Sequence, residues 1–193
     1  MKTAYLIVYN LVQFCGWAVV LFTGRLDFLM WFQSLQLIEV LHCMVGLVKS
    51  SAFQTFAQIL SRLIIVWCAL VPFKETHQTV GLDMILWAWP LAETTRYIYY
   101  ALNLMQLNLY LVTWARYTFF IGLYPLGVSG ELLILYKLIQ IVRATTKYSY
   151  PLPNPLNISL HADIVLILII LSYVPCKYIC SLEMRDLLKV RLE

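Results

Sequence analysis

A chain of 193 residues with a net charge of +4, of which 62% is hydrophobic and only 12% charged, does not have the composition of a soluble domain, where roughly a quarter of residues are charged. The basic residues are dispersed, and no arginine-rich block with interleaved aromatics provides the footprint of a nucleic-acid groove. Once its long apolar runs are set aside, too little chain remains for an appended soluble domain. One all-α domain over residues 1–193, a polytopic transmembrane bundle, is therefore expected.

Lys2 precedes an uncharged run from Thr3 to Gly24. The run is longer than the apolar core of a cleavable signal and has no clear small-residue cleavage site. It reads as a first span over Ala4–Phe22, with Lys2 favouring a cytosolic N-terminus. Further segments follow at Trp31–Val48, Phe53–Val71 (stopped by Pro72) and Thr79–Tyr100, with a kink expected at Pro90. A fifth covers Leu104–Leu123, where Tyr124-Pro125-Leu126-Gly127 is expected to interrupt the helix. A short sixth runs over Val128–Val142, the three prolines of 150–156 form a non-helical connector, and Leu160–Tyr178 completes the set. Continuous apolar runs of about 20 residues suit helices rather than the alternating strands of a membrane barrel.

Six crossings or seven both fit this pattern. The basic Arg185, Lys189 and Arg191 share the side of Lys2 only if the number is even, which favours six. Five cysteines without a CxxC, and odd in number, point to free thiols. Asn157-Ile158-Ser159 matches a glycosylation acceptor, but it lies beside an expected span.

Nine ionisable residues fall within or beside the apolar segments: Glu39, Arg62, Asp83, Glu93, Arg96, Arg116, Glu131, Lys137 and Asp163. A charge in hydrocarbon costs about 2.5–3.5 kcal/mol even on insertion scales, so these residues imply a polar interior. Glu93 and Arg96, three apart, can pair on one helical face. Arg62 suits either a cross-bridge to a carboxylate on another helix or a contact to substrate. The histidines His42, His77 and His161 are scattered, without the HxxH or HxxxH spacing of a di-iron site, which argues against such a cluster. Neither GxGxxG nor GxxxxGK is present, which leaves nucleotide cofactors without a handle.

The densest constellation is Arg116 to Glu131, RYTFFIGLYPLGVSGE. It places an arginine, two tyrosines, a proline–glycine element and a carboxylate within sixteen positions. A continuous helix would set Tyr124 and Glu131 two turns apart on one side, whereas a break would let them converge on one cavity. A carboxyl shielded from water there is suited to hold or deliver a proton.

This stretch resembles the signature of the membrane very-long-chain (3R)-3-hydroxyacyl-CoA dehydratases, the protein-tyrosine-phosphatase-like A or PASTICCINO2-like family. The resemblance extends to Tyr9-Asn10 with Gly16-Trp17, to Leu37-Ile38-Glu39-Val40-Leu41-His42 and to Ser61-Arg62. It continues through Glu93-Thr94-Thr95-Arg96-Tyr97 and the region from Pro153-Asn154 to Asn157-Ile158-Ser159. It implies that Tyr124 and Glu131 are the catalytic pair. It also implies a multi-pass protein of the endoplasmic reticulum with cytosolic termini, acting beside an elongase and two reductases in fatty acid elongation. The chain departs from the family in its short first connection and in lacking a lysine-rich tail.

The implied reaction removes water from a 3-hydroxyacyl-CoA, so one group takes the C2 proton and another protonates the departing C3 hydroxyl. Glu131 fits the second role and Tyr124 the first, with the reverse assignment still open. Arg62, Arg96 and Arg116 are candidates to polarise the thioester or meet the CoA phosphates, with Glu93 in a supporting place. Phe119, Phe120, Leu123 and Leu126 are candidate contacts for the acyl tail, although ordinary packing accounts for them as well. Elimination changes no oxidation state, so no cofactor is expected. A small-solute transporter and a catalytically silent scaffold are the alternatives; the internal repeats common in transporters are not visible.

Overall fold

The computed structural model describes residues 2–48, 50–107, 109–145, 161 and 163–171. The chain forms two compact units, Met1–Ile134 and Leu135–Glu193. Among the described residues every regular element is helical. The proline connector, the Asn157 acceptor, Lys49, Lys147, Cys176, Cys180, both ends of the last expected span and the basic tail lie outside the described residues.

Helix α1 spans Lys2–Thr23. It buries Leu6, Asn10, Gln13, Trp17 and Val20, which recur every three or four residues and so form one face. Gly24, at a φ of +61°, ends it, and its N–H returns to the Val20 carbonyl at 2.8 Å, a C-terminal stop for which glycine carries no steric penalty. The second expected segment starts earlier than the sequence suggested and is divided. Helix α2 covers Leu26–Leu35 and α3 covers Leu37–Met44, with the break at Gln36. At that break the Gln33 side-chain amide donates to Gln36 Oε1 at 2.7 Å.

Helix α4, Ala52–Ile64, opens on Ser51, whose hydroxyl accepts from the Gln54 N–H. It runs on as a π-helical turn over Ile65–Leu70, and Pro72 follows. A short 3-10 helix, Lys74–Gln78, leads into α5, Val80–Leu104, which continues through Pro90. Gln106, at a φ of +62°, turns the chain after α5. The next helix, α6, therefore begins at Tyr110 rather than near Leu104, and it extends to Thr145.

In the first unit α1 packs along α5 and also against α2, while α3 packs on α4. Helices α5 and α6 approach each other through glycines. A Cβ built on Gly81 would lie 2.7 Å from the Gly130 carbonyl oxygen. Small residues permit such close backbone contact in membrane helices, where packing rather than water exclusion drives association.

Polarity is distributed as a lipid solvent requires. Asn10, Gln13, Gln33, Gln36, His42, Glu93 and Glu131 are buried, whereas Phe22, Trp31, Phe53, Trp87 and Leu111 are exposed. His42 is a hydrogen-bonded interior residue, its Nε2 2.9 Å from the Tyr5 hydroxyl. Three helical stretches, Lys2–Thr23, Ala52–Leu70 and Tyr110–Thr145, are long and apolar enough to cross a membrane. Helix α5 has the length, but Asp83, Glu93 and Arg96 lower its hydropathy. The α2–α3 segment is cut at Gln36.

Candidate active site

Residues 116, 120, 124, 127 and 131 step along α6 by three or four, so they share one side of the helix. The expected interruption at Tyr124-Pro125-Leu126-Gly127 is absent. Pro125 sits inside α6, which is continuous from Tyr110 to Thr145. The cost of a proline within a helix is one lost backbone bond and local crowding, and here the helix absorbs it. Tyr124 and Glu131 therefore lie on the same side of one helix, about 10 Å apart along its axis, and no break swings them together.

The Tyr124 ring is half-buried and stacks on Phe120, with centroids 4.9 Å apart and planes 27° apart. Glu131 is only 7% exposed. Its Oε1 accepts a hydrogen bond from Trp89 Nε1 on α5 at 3.2 Å. Helical side chains lean towards the N-terminus, which carries the carboxyl back over the turn at Gly127. There the missing side chain makes room for the indole: a Cβ on Gly127 would lie 3.5 Å from Trp89 Cδ1.

A second group of charges gathers around the middle of α5. Arg96 holds Glu39 of α3 through two hydrogen bonds of 2.9 Å, and Glu93 at 2.8 Å. It also donates to the Tyr97 hydroxyl at 2.8 Å, and that hydroxyl donates to Glu39. Arg62 of α4 pairs with Glu93 from the other side. Two arginines and two glutamates thus neutralise one another, with forked contacts of the kind that make arginine–carboxylate bonds strong. The expected pairing of Glu93 with Arg96 is found, and Arg62 bridges to a carboxylate on another helix.

The Arg62 guanidinium also lies over the Trp89 ring, 5.3 Å from its centroid. Trp89 therefore touches both the charged cluster and Glu131. Arg116 is held differently. Its guanidinium lies 4.3 Å from the Tyr99 ring centroid and 4.7 Å from that of Tyr100, and it donates to the Tyr100 hydroxyl at 3.3 Å. Among the described residues it makes no ion pair, and its Nη1 is buried without a hydrogen-bond partner.

Of the remaining charges read from the sequence, Asp83 is exposed in the first turn of α5. Within the second unit, Asp163 pairs with Arg143 at 3.0 Å. Trp89, Tyr97 and Tyr100 were assigned no site role from the sequence, Tyr97 entering only as the end of the Glu93–Tyr97 element. A signal was available for the first two: Trp89, Glu93 and Tyr97 are four apart, and that spacing puts them on one face of α5.

Helical architecture throughout the described residues, three apolar helices long enough to cross a membrane, buried polar groups and outward-facing aromatics are compatible with a helical membrane protein that buries a carboxylic acid. The family model for protein tyrosine phosphatase-like protein, PTPLA, matches residues 33–192. The chain is 38% identical over 191 residues to very-long-chain (3R)-3-hydroxyacyl-CoA dehydratase 2 of Homo sapiens, a match covering 91% of this chain and 75% of that one. It is 35% identical over 188 residues to the Caenorhabditis elegans dehydratase hpo-8, covering 89% and 86%. To dehydratase 1 of Ovis aries it is 33% identical over 191 residues, covering 91% and 66%. This chain belongs to the PTPLA family. No solved structure matches it.

Proposed function

We propose that this protein is a hydro-lyase that converts very-long-chain (3R)-3-hydroxyacyl-CoA to trans-2-enoyl-CoA, the dehydration step of fatty acid elongation. The activity for which the relatives are named supports this reading. The observation that carries it is Glu131: a buried carboxyl, outside every ion pair among the described residues, held by a neutral donor on the same side of α6 as Tyr124.

The thioester acidifies the C2 hydrogen, and the C3 hydroxyl leaves only when protonated. Tyr124 takes part in removing the C2 proton, and Glu131 delivers a proton to the departing oxygen. The C2–H electron pair becomes the new double bond, the C3–O bond breaks, and water leaves. Exchanging the two roles uses the same pair of residues and the same balance. With the substrate carbon chain lying along α6, an axial separation of about 10 Å between the two backbone positions leaves space for the reacting carbons between the side chains. Arg116 is the arginine to meet the thioester or the CoA phosphates, because Arg62 and Arg96 are already committed to carboxylates. Glu93 supports the site by holding those two arginines.

The protein acts as a single multi-pass domain of the endoplasmic reticulum membrane with cytosolic termini, beside the elongase and reductases of the cycle. Six crossings suit this arrangement: α1, the α2–α3 pair, α4 with its π-helical turn, α5, α6, and the segment containing helical residues 163–171. Joining the fifth and sixth expected segments into α6 supports the even number.

The test is direct. Full-length protein purified in detergent is given a long-chain 3-hydroxyacyl-CoA, and enoyl-CoA formation is followed for wild type, Tyr124→Phe and Glu131→Gln. Turnover by wild type that is lost in both folded variants supports the reading. Solute flux in vesicles without turnover would make the protein a transporter, and neither activity would leave a scaffold.

A further inference from the structure

Among the described residues, Glu131 is the one buried carboxylate near the middle of α5 that the arginines do not claim. Glu39 and Glu93 neutralise Arg62 and Arg96 between them, so the cluster is complete without it. What stands between Arg62 and Glu131 is the indole of Trp89. Its face takes the guanidinium, 5.3 Å from the ring centroid, and its edge donates to Glu131 Oε1 at 3.2 Å. Trp89 is itself only 2% exposed, between Gly127 on one side and the body of α5 on the other.

We infer that Trp89 is the positioning residue for Glu131, fixing which carboxyl oxygen works on the substrate and separating the acid from Arg62. Indole is a donor and never an acceptor. Its bond to Oε1 therefore leaves the proton of the acid form on Oε2, the oxygen free to face the departing hydroxyl. A guanidinium in the same place would bind Glu131 as an ion pair and hold it in its ionised form, ill suited to deliver a proton. A neutral donor orients the carboxyl without claiming its charge. The cation over the ring face draws electron density from the indole and strengthens its N–H as a donor. This inference rests on the dehydratase reading, and the experiment separates the two.

Wild type, Trp89→Phe and Trp89→His are purified in detergent, checked for monodispersity and thermal midpoint, and assayed for kcat and KM on one 3-hydroxyacyl-CoA. Trp89→Phe keeps an aromatic ring under Arg62 but has no N–H. Its kcat is expected to fall about tenfold or more, with KM within about threefold of wild type. Trp89→His restores a ring N–H and is expected to recover a substantial part of that loss. Equal losses in the two variants, a loss carried by KM alone, or a Trp89→Phe enzyme with at least half the wild-type kcat overturns the inference. A wild-type protein without turnover overturns the dehydratase reading instead.

A second measurement does not depend on any Trp89 variant folding. In protein carrying 15N in its indole rings, one indole N–H resonance is expected to shift between wild type and Glu131→Gln. Unchanged indole resonances would show that the bond between Trp89 and Glu131 is not formed.

Discussion

Glu93 and Glu131 are both buried, at 4% and 7% exposure, yet the protein holds them in opposite ways. Glu93 sits between two guanidiniums, and through Arg96 it is tied to Glu39 and Tyr97. Among the described residues Glu131 has a single neutral partner, Trp89. A carboxylate ringed by arginines is locked in its charged form and ties together the helices that supply its partners. One held by an indole is oriented without being tied into an ion pair. On the proposed reading the cluster of α3, α4 and α5 is architecture, and the face of α6 is chemistry.

Glu131→Gln and Tyr124→Phe sharpen that contrast most. Each should reduce turnover by about 10² to 10⁴-fold, the usual scale for a lost general acid or base. Unfolding in detergent should stay within about 1 kcal/mol of wild type, since neither change opens a cavity or strands a charge. A large fall in stability would instead place these residues with the architecture.

The converse holds for Glu93→Gln. It leaves Arg62 and Arg96 short of one anion in a buried setting, and breaking a buried pair from one side costs about 3–5 kcal/mol. Unfolding free energy in micelles measures this. Stability equal to wild type, with turnover lost, would move Glu93 to the chemical side.

Gly81→Ala tests the contact that brings Trp89 to α6. Its Cβ would meet the Gly130 carbonyl oxygen at 2.7 Å, and forcing the helices apart should cost about 1–3 kcal/mol. Gly122→Ala, on the same α6 but with nothing within 4 Å of the added carbon, should instead stabilise by about 0.5–1 kcal/mol. The smallest effect is expected from Asp163→Asn. Its partner Arg143 is exposed, so its loss should leave the unfolding midpoint unchanged.

Much of the helical layout was legible because hydrophobic run length and breaker residues act locally. Gly24 and Pro72 stop their helices where the sequence places them, and the π-helical turn extends α4 to the end of the third expected segment. Two breaks in the helices differ from expectation. The α2–α3 break at Gln36 carries no proline or glycine, and the amide contact with Gln33 that accompanies it is a matter of side-chain geometry. The expected break at Pro125 failed for the opposite reason, since a strong local breaker is carried within a long helix.

The candidate site divides along the same line. Residue type and spacing marked the Arg116–Glu131 stretch and the Glu93–Arg96 pair, because periodicity determines which residues share a helical face, and the family resemblance singled out Tyr124 and Glu131 within that stretch. Partner choice across helices was not written there. Whether Arg62 would take Glu93 or Glu131 depends on how closely α5 and α6 approach, and that approach is set by Gly81, Gly127 and Gly130. The chain by itself determined that charges must be buried among apolar helices and that an acid and a phenol stand seven residues apart. Only the packed structure decided that arginines neutralise one acid and an indole holds the other, because an ion pair or hydrogen bond forms at contact distance, which sequence spacing specifies only within a single helix.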